Sequence, residues 1–261
     1  MPPTPIYTSN TIHSSAFHVR YGWTGWTSDG PFPPLPDAAF FERLDLALEA
    51  DGIRRLESNW STRQIQIICS IKPTVSPVLF VARMKGRLRQ AHTPVRFRRK
   101  ISFRSIGENK RRQVEAYIEK QVTKERFVDK RFSEFMQSFT TAHGSARLDQ
   151  PTETGSGRYW FNLHLVLVTE SRMRFTDERS LKRISEMCDK AALKKAYQLA
   201  SRSVMPDHIH LALRGNIEQS PAEIALTFMN NIAFAFGQKA VFRPGYYVGT
   251  FGEYDMGAVR L

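Results

Sequence analysis

Cysteine is scarce: only Cys69 and Cys188 occur in 261 residues, each inside an apolar run. Neither a disulfide framework nor a cysteine-based zinc cluster is therefore expected. No stretch of about 18 apolar residues appears, and residues 1–10 hold no charged leader followed by an apolar segment. A protein of the reducing cytoplasm, with no membrane partner, is the expectation. Acidic residues are also in short supply, 25 Asp and Glu against 38 Lys and Arg, which leaves a formal charge of +13. Such a surface calls for a polyanion, and nucleic acid is the usual one, although charge alone does not separate DNA from RNA or an acidic membrane. The hydrophobic content of 41% is enough for real cores, in one large domain or two small ones.

The excess positive charge is concentrated. Arg83, Lys85, Arg87 and Arg89 fall in a helix-like stretch over 77–91, and Arg98, Arg99 and Lys100 follow shortly after. These are the candidate phosphate contacts, with a solvated helix face as the plainer alternative. Trp23, Trp26, Trp60 and Trp160 are either base-stacking platforms or core fillers.

One unit is written twice. The segment around Gln64-Ile65-Gln66 has the shape of the segment around His208-Ile209-His210, at a spacing of 144 residues, and the same spacing carries Ser76-Pro77 onto Ser220-Pro221 and Phe17 onto Phe161. A spacing one larger carries Gly107-Glu108 onto Gly252-Glu253. In the second copy the coarse reading is a strand over 159–169, a helix over 177–197, a strand over 203–213 and a helix over 220–235. Asp37 and Asp177 are expected helix caps, and the two Ser-Pro pairs place a capping Ser before a first-turn Pro. Strands separated by helices in such short units imply an α+β fold, a ferredoxin-like split β-α-β layout with antiparallel sheets. Residues 131–157, rich in Gly, Ser, Thr and Pro towards their end, read as a linker between domains over 11–130 and 158–261.

In an extended strand, residues two apart share a face, so His208 and His210 present two imidazoles side by side while Ile209 turns to the core. That is a geometry suited to a metal ion. The run Val204-Met205-Pro206-Asp207-His208-Ile209-His210-Leu211 resembles the metal-site strand of the single-tyrosine HUH transposases, the insertion sequence 200/605 type, and their repeat-associated relatives. In that family a helix carries a nucleophilic tyrosine and, four residues later, a glutamine that completes the metal site. Tyr117-Ile-Glu-Lys-Gln121 has this pattern after the helix-like run 108–116. Tyr117-x-x-Lys120 also resembles the tyrosine motif of rolling-circle initiators, which implies that Lys120 steadies the scissile phosphate.

The resemblance implies cleavage and strand transfer on single-stranded DNA, as a plain strand or a hairpin, through a 5′-phosphotyrosine. The metal, Mg²⁺ or Mn²⁺, would be held by His208, His210 and Gln121. It implies tandem HUH domains joined as a pseudo-dimer within one chain. The first copy has Gln64 and Gln66 where the second has histidines, so its own metal site is expected to be dead. Carried forward by the Gly107-to-Gly252 spacing, Tyr117 lands one position beyond Leu261, and Tyr246, Tyr247 and Tyr254 lack a following Gln. Each half thus lacks what the other retains. A single composite site follows, with a domesticated, non-catalytic binder of structured single-stranded DNA or RNA as the alternative.

Overall fold

Along residues 64–71 the side chains of Ile65, Ile67, Cys69 and Ile71 are buried while Gln64 and Gln66 take the other face. Residues 208–214 do the same, with Ile209, Leu211 and Leu213 buried on one side and His208, His210 and Ala212 on the other. These two strands lie inside two different six-stranded sheets. The computed structural model describes residues 4–32, 34, 36–91, 96–125 and 127–253.

The elements run β1 (His13–His18), β2 (Arg20–Thr27), α1 (Ala38–Ala50), β3 (Ile53–Trp60), β4 (Gln64–Ile71), α2 (Pro77–Ala91) and β5 (Phe97–Ile106). Then come α3 (Arg111–Glu119), α4 (Gln121–Lys124), α5 (Lys130–Gln137), β6 (Thr140–Ala142), β7 (Thr152–Thr154) and β8 (Gly157–Trp160). The last part holds β9 (Asn162–Thr169), α6 (Glu178–Lys194), β10 (Gln198–Val204), β11 (His208–Arg214), α7 (Pro221–Ala235) and β12 (Phe242–Thr250). The fold is α+β. One sheet has the order β3-β4-β2-β5-β8-β7 and the other β1-β12-β9-β11-β10-β6. In each, four antiparallel strands come from a β-α-β-β-α-β run with its first strand flanked by its third and fourth.

The expected helix starts are present. Asp37 accepts from the Phe40 N–H, Asp177 from the Ser180 N–H and Ser220 from the Glu223 N–H, each satisfying a donor that a helix start leaves open. The single strand expected over 203–213 is instead the hairpin β10–β11, turned at Pro206-Asp207. Phe40, Leu44 and Leu48 of α1, Phe80, Met84 and Leu88 of α2, and Ile224, Phe228 and Ile232 of α7 repeat at helical spacing and are buried. They join a single apolar cluster spanning both sheets, each such side chain worth about 1.5–3 kcal/mol of burial.

The segment expected as a linker, 131–157, is built into the structure. It holds most of α5 together with β6, which pairs with β10, and β7, which pairs with β8. Glycine, serine and threonine serve tight turns and short edge strands as readily as linkers, which is why composition misled here. The boundaries at 11 and 158 also shift, because two arms cross over. β1, just before β2, pairs in parallel with β12 of the other sheet, and β8, just before β9, pairs in parallel with β5. Register also corrects one equivalence: Trp26 faces Gln64 and Val168 faces His208, so Val19 rather than Phe17 occupies the place of Phe161.

Contacts between the halves come in reciprocal pairs. The Val78 N–H donates to the Ile217 carbonyl at 3.3 Å, and the Ala222 N–H to the Pro73 carbonyl at 2.9 Å. Ser105 Oγ accepts from the Asn162 N–H at 3.1 Å, and Thr250 Oγ from the Arg20 N–H at 2.8 Å. At the centre Gly107 donates to the Gly252 carbonyl at 3.3 Å. A Cβ on Gly107 would run into the Thr250 carbonyl oxygen and lie 2.8 Å from Phe251 Cα, both backbone atoms that cannot swing aside. Gly107→Ala is therefore expected to cost about 1–3 kcal/mol, read as a lowered urea midpoint with an unchanged slope.

Candidate active site at the tyrosine helix

β11 fixes the two histidines. With Ile209 and Leu211 in the core, His208 and His210 project together from the opposite face, ring centroids 4.9 Å apart. The carboxylate of Asp207 can only accept, so His208 donates to it from Nδ1 at 2.7 Å, which leaves Nε2 of His208 outside that bond. Arg172 holds the other oxygen of Asp207 at 2.9 Å. Burial pushes the Asp207 carboxyl up, but hydrogen bonds from His208 and Arg172 outweigh it and keep the group below its ordinary range.

A third histidine, which the sequence reading did not single out, completes the face. His164 of β9 approaches His210 with Nε2 3.1 Å from Nδ1, the rings stacked at 5.3 Å and 17°. Burial holds His164 down at about 4. Burial first, and then His164, His208 and Lys124, push His210 well below the ordinary histidine value. Both rings are neutral at neutral pH, so one nitrogen of this contact donates and the other accepts. The second ring nitrogen of His210 lies outside that bond.

The tyrosine arrives from the other half of the chain. After β5, the chain turns at Lys110, whose backbone N–H donates to Gln113 Oε1 at 2.7 Å, and α3 begins. Val114 and Ile118 are buried against Ala200, Ala212 and Phe251 of the second sheet's side. This packing places Tyr117 above the histidines, its ring centroid 5.5 Å from that of His210 and 5.9 Å from that of His164. Tyr117 remains 42% exposed, so its hydroxyl is within reach of a ligand. A cavity of about 500 Å³ opens here, lined among others by Asn109, Tyr117, His164, His210, Arg243 and Tyr247.

Gln121 and Lys120 depart from the expected arrangement. Tyr117 and Gln121 were expected on one unbroken helix, but α3 stops at Glu119 and α4 begins with Gln121. Gln121 is buried, and its Nε2 donates to the Tyr117 carbonyl at 2.8 Å, which bridges the break and leaves Oε1 as its second polar atom. Lys120, at the break, is exposed. Lys124 is the lysine that meets the tyrosine, its Nζ 3.6 Å from the ring centroid. Among the described residues no group of three or more His, Cys, Asp or Glu side chains is placed to hold a metal ion. A metal site here would need two imidazoles and an amide oxygen.

Residues 158–260, the part that carries all three histidines, match the family model of IS200-like transposases. That stretch of the chain is similar to the IS200-like transposases. No curated protein sequence matches the chain. Among solved structures, the chain is similar to a candidate transposase from Deinococcus radiodurans, 17% identical over 37% of this chain and 81% of that one, with a TM-score of 0.32. It is also similar to the regulatory subunit of aspartate kinase from Thermus thermophilus, 9% identical over 84% of this chain and 93% of that one, with a TM-score of 0.21.

The expected phosphate contacts lie away from residues 158–260, on the first sheet and its helices. Arg87 grips both oxygens of Asp51, at 2.9 and 3.2 Å, and Arg83 donates to the Asp51 carbonyl at 2.6 Å. Lys85 donates to the carbonyls of Arg98 and Arg99, and Arg98 to that of Thr27 at 3.0 Å. Arg83, Lys85, Arg87 and Arg98 thus brace the first half internally, while Arg89, Arg99 and Lys100 point to solvent. Of the tryptophans, Trp23 is fully buried, as a core filler. Gln64 and Gln66 are buried, Gln66 meeting Asn59 Nδ2 at 3.3 Å. Tyr254 lies outside the described residues. No helix among the described residues is long and apolar enough to cross a membrane.

Proposed function

We propose that this protein cleaves and rejoins single-stranded DNA at one composite site, with Tyr117 as the nucleophile and a 5′-phosphotyrosine as the intermediate. The observation that carries this reading is the approach of the Tyr117 ring to His210 and His164 across two halves of the chain, the two histidines lying in the stretch that matches the IS200-like transposase model. The Tyr117 hydroxyl attacks phosphorus, its proton departs as the O–P bond forms, and the 3′ oxygen leaves. Because the phosphodiester is exchanged for a phosphotyrosyl ester, a free 3′ hydroxyl can reverse the step without ATP. DNA as partner follows from the family and from the charge of +13.

In this reading His208, His210 and Gln121 would hold a divalent ion of the Mg²⁺ or Mn²⁺ kind. Asp207 orients His208 through Nδ1, the outer-shell arrangement common around metal-bound histidines, and Gln121 has its amide nitrogen committed and its oxygen spare. When bound, such an ion withdraws charge from the phosphate and stabilises the departing oxygen. Lys124 supplies fixed positive charge on the tyrosine's open face. Lys124→Ala is expected to lower the cleavage rate about 10–100-fold, while Lys120→Ala stays within about threefold, in single-turnover assays.

We read the chain as two ferredoxin-like HUH units, one built on β2 to β5 and the other on β9 to β12, fused into a pseudo-dimer with exchanged arms. The reciprocal hydrogen bonds support this, since Pro73 and Ile217, like Val78 and Ala222, are related by the spacing that relates Gln64 to His208. An isologous contact repeats each interaction in this way. The test is to incubate the full chain with labelled single-stranded DNA pools and Mn²⁺, then map any adduct by mass spectrometry. A link at Tyr117 is the expected result. Binding without an adduct, or a link at Tyr247 or Tyr254, would overturn the composite site.

A further inference from the structure

Beside the tyrosine cavity lies a second cleft, of about 630 Å³, whose walls include Arg104, Arg112, Asp149, Trp160 and Asn162. Cleft and cavity share Gln113 of α3. From Gln113 to Tyr117 the helix rises about 6 Å. With a rise of about 3.4 Å per nucleotide in a stacked strand, DNA held at Tyr117 passes the cleft one or two nucleotides away.

We propose that this cleft is a nucleobase subsite: it takes the base of one nucleotide flanking the scissile phosphate, stacks it on the Trp160–Arg104 pair and reads its exocyclic amine through Asn162. The inference rests on the strand-cleavage reading above. Arg104 lies over the Trp160 ring at 4.0 Å from its centroid, and Trp160 Nε1 donates to the Asp149 carbonyl at 2.8 Å, which fixes the indole at the cleft. Asn162 is 6% exposed, its Nδ2 donates to the Leu148 carbonyl at 3.2 Å, and its Oδ1 has no partner among the described residues. A buried carbonyl oxygen without a donor is costly, and a donor arriving through the cleft relieves it.

The chemistry selects the ligand. Adenine, cytosine and guanine carry an exocyclic amine that projects to a buried acceptor, whereas thymine's one N–H donor is the ring N3–H, flanked by two carbonyl oxygens that would face Asn162 Oδ1. In a single strand that edge and the ring face are both open, which suits stacking on an aromatic platform. For the adjoining phosphate, Lys110 is engaged by Glu253 at 2.8 Å and Arg111 by Glu115 and Asp149. Arg112 is exposed and has no ion pair among the described residues. It is the cation left for phosphate.

The test uses the full-length Tyr117→Phe variant and fluorescent single-stranded oligonucleotides with an abasic site moved one position at a time. One position beside the cleavage point should weaken binding about tenfold, and Trp160→Leu should abolish the effect at that position alone, with Trp160→Phe retaining most of it. Thymine there should bind about threefold to tenfold more weakly than adenine or cytosine. Should Trp160→Leu fail to fold, Arg112→Gln provides the second measurement: the slope of log Kd against log salt should fall by about 0.7. An abasic profile unchanged by Trp160→Leu, or a salt slope unchanged by Arg112→Gln, overturns the subsite. If the wild type still forms its Tyr117 adduct in that case, the proposed function stands. Conversely, a position-specific profile without any adduct would overturn the cleavage reading and leave the cleft as a base-binding site.

Discussion

Tyr117→Phe should leave the chain folded and able to bind single-stranded DNA, while cleavage falls by at least about 10⁴-fold and no covalent species forms. The substitution removes one oxygen and keeps the ring, so the edge-on packing against His164 and His210 and the contact with Lys124 survive. A side chain 42% exposed loses little burial by the change, and stability should move by no more than about 0.5 kcal/mol. Losing the attacking atom, by contrast, removes the reaction path itself, and effects of 10⁴ to 10⁶ are usual for a covalent nucleophile. The measurement is single-turnover cleavage of a labelled strand beside a denaturing gel for the adduct, with binding followed by anisotropy. Cleavage that survives in Tyr117→Phe would move the nucleophile elsewhere, and Tyr247, which lines the same cavity, would be the first place to look.

Much of the site was legible because its signals are local. The pair His208 and His210 announces a shared face by strand periodicity alone, and Asp37, Asp177 and Ser220 announce helix starts because capping depends on a few adjacent atoms. What was illegible depends on chain segments far apart. His164 sits alone in an apolar strand, and only the pairing of β9 with β11 brings it to His210. Lys124 displaces Lys120 because the helix breaks at Lys120, and a break of one residue changes which side chain lies over the ring. The crossed arms β1 and β8 left no pattern to read, since parallel pairing with a sequence-distant strand adds no periodicity of its own. The basic stretch misled in a similar way: Asp51 lies between α1 and β3, far in sequence from the Arg83 and Arg87 it engages.

His210→Ala should abolish both cleavage and the stabilisation that a divalent ion confers, and the second effect separates a ligand from a merely structural histidine. A ligand bound only by the folded state at one hundred times its Kd stabilises by about 2.7 kcal/mol. For a chain of this size that is about 5–10 °C in Tm, so wild-type protein titrated with Mn²⁺ should melt correspondingly later. His210→Ala should start from a lower Tm, because a buried ring and its contact with His164 are lost, and should gain nothing from Mn²⁺. Asp207→Ala separates the roles further. It leaves both imidazoles in place but removes the acceptor that fixes the His208 ring, so metal affinity should weaken about 10–100-fold while saturating Mn²⁺ still raises Tm. Equal Mn²⁺ shifts in wild type, His210→Ala and Asp207→Ala would remove the metal from this site, and the histidine cluster would then act only as the packing surface that holds Tyr117.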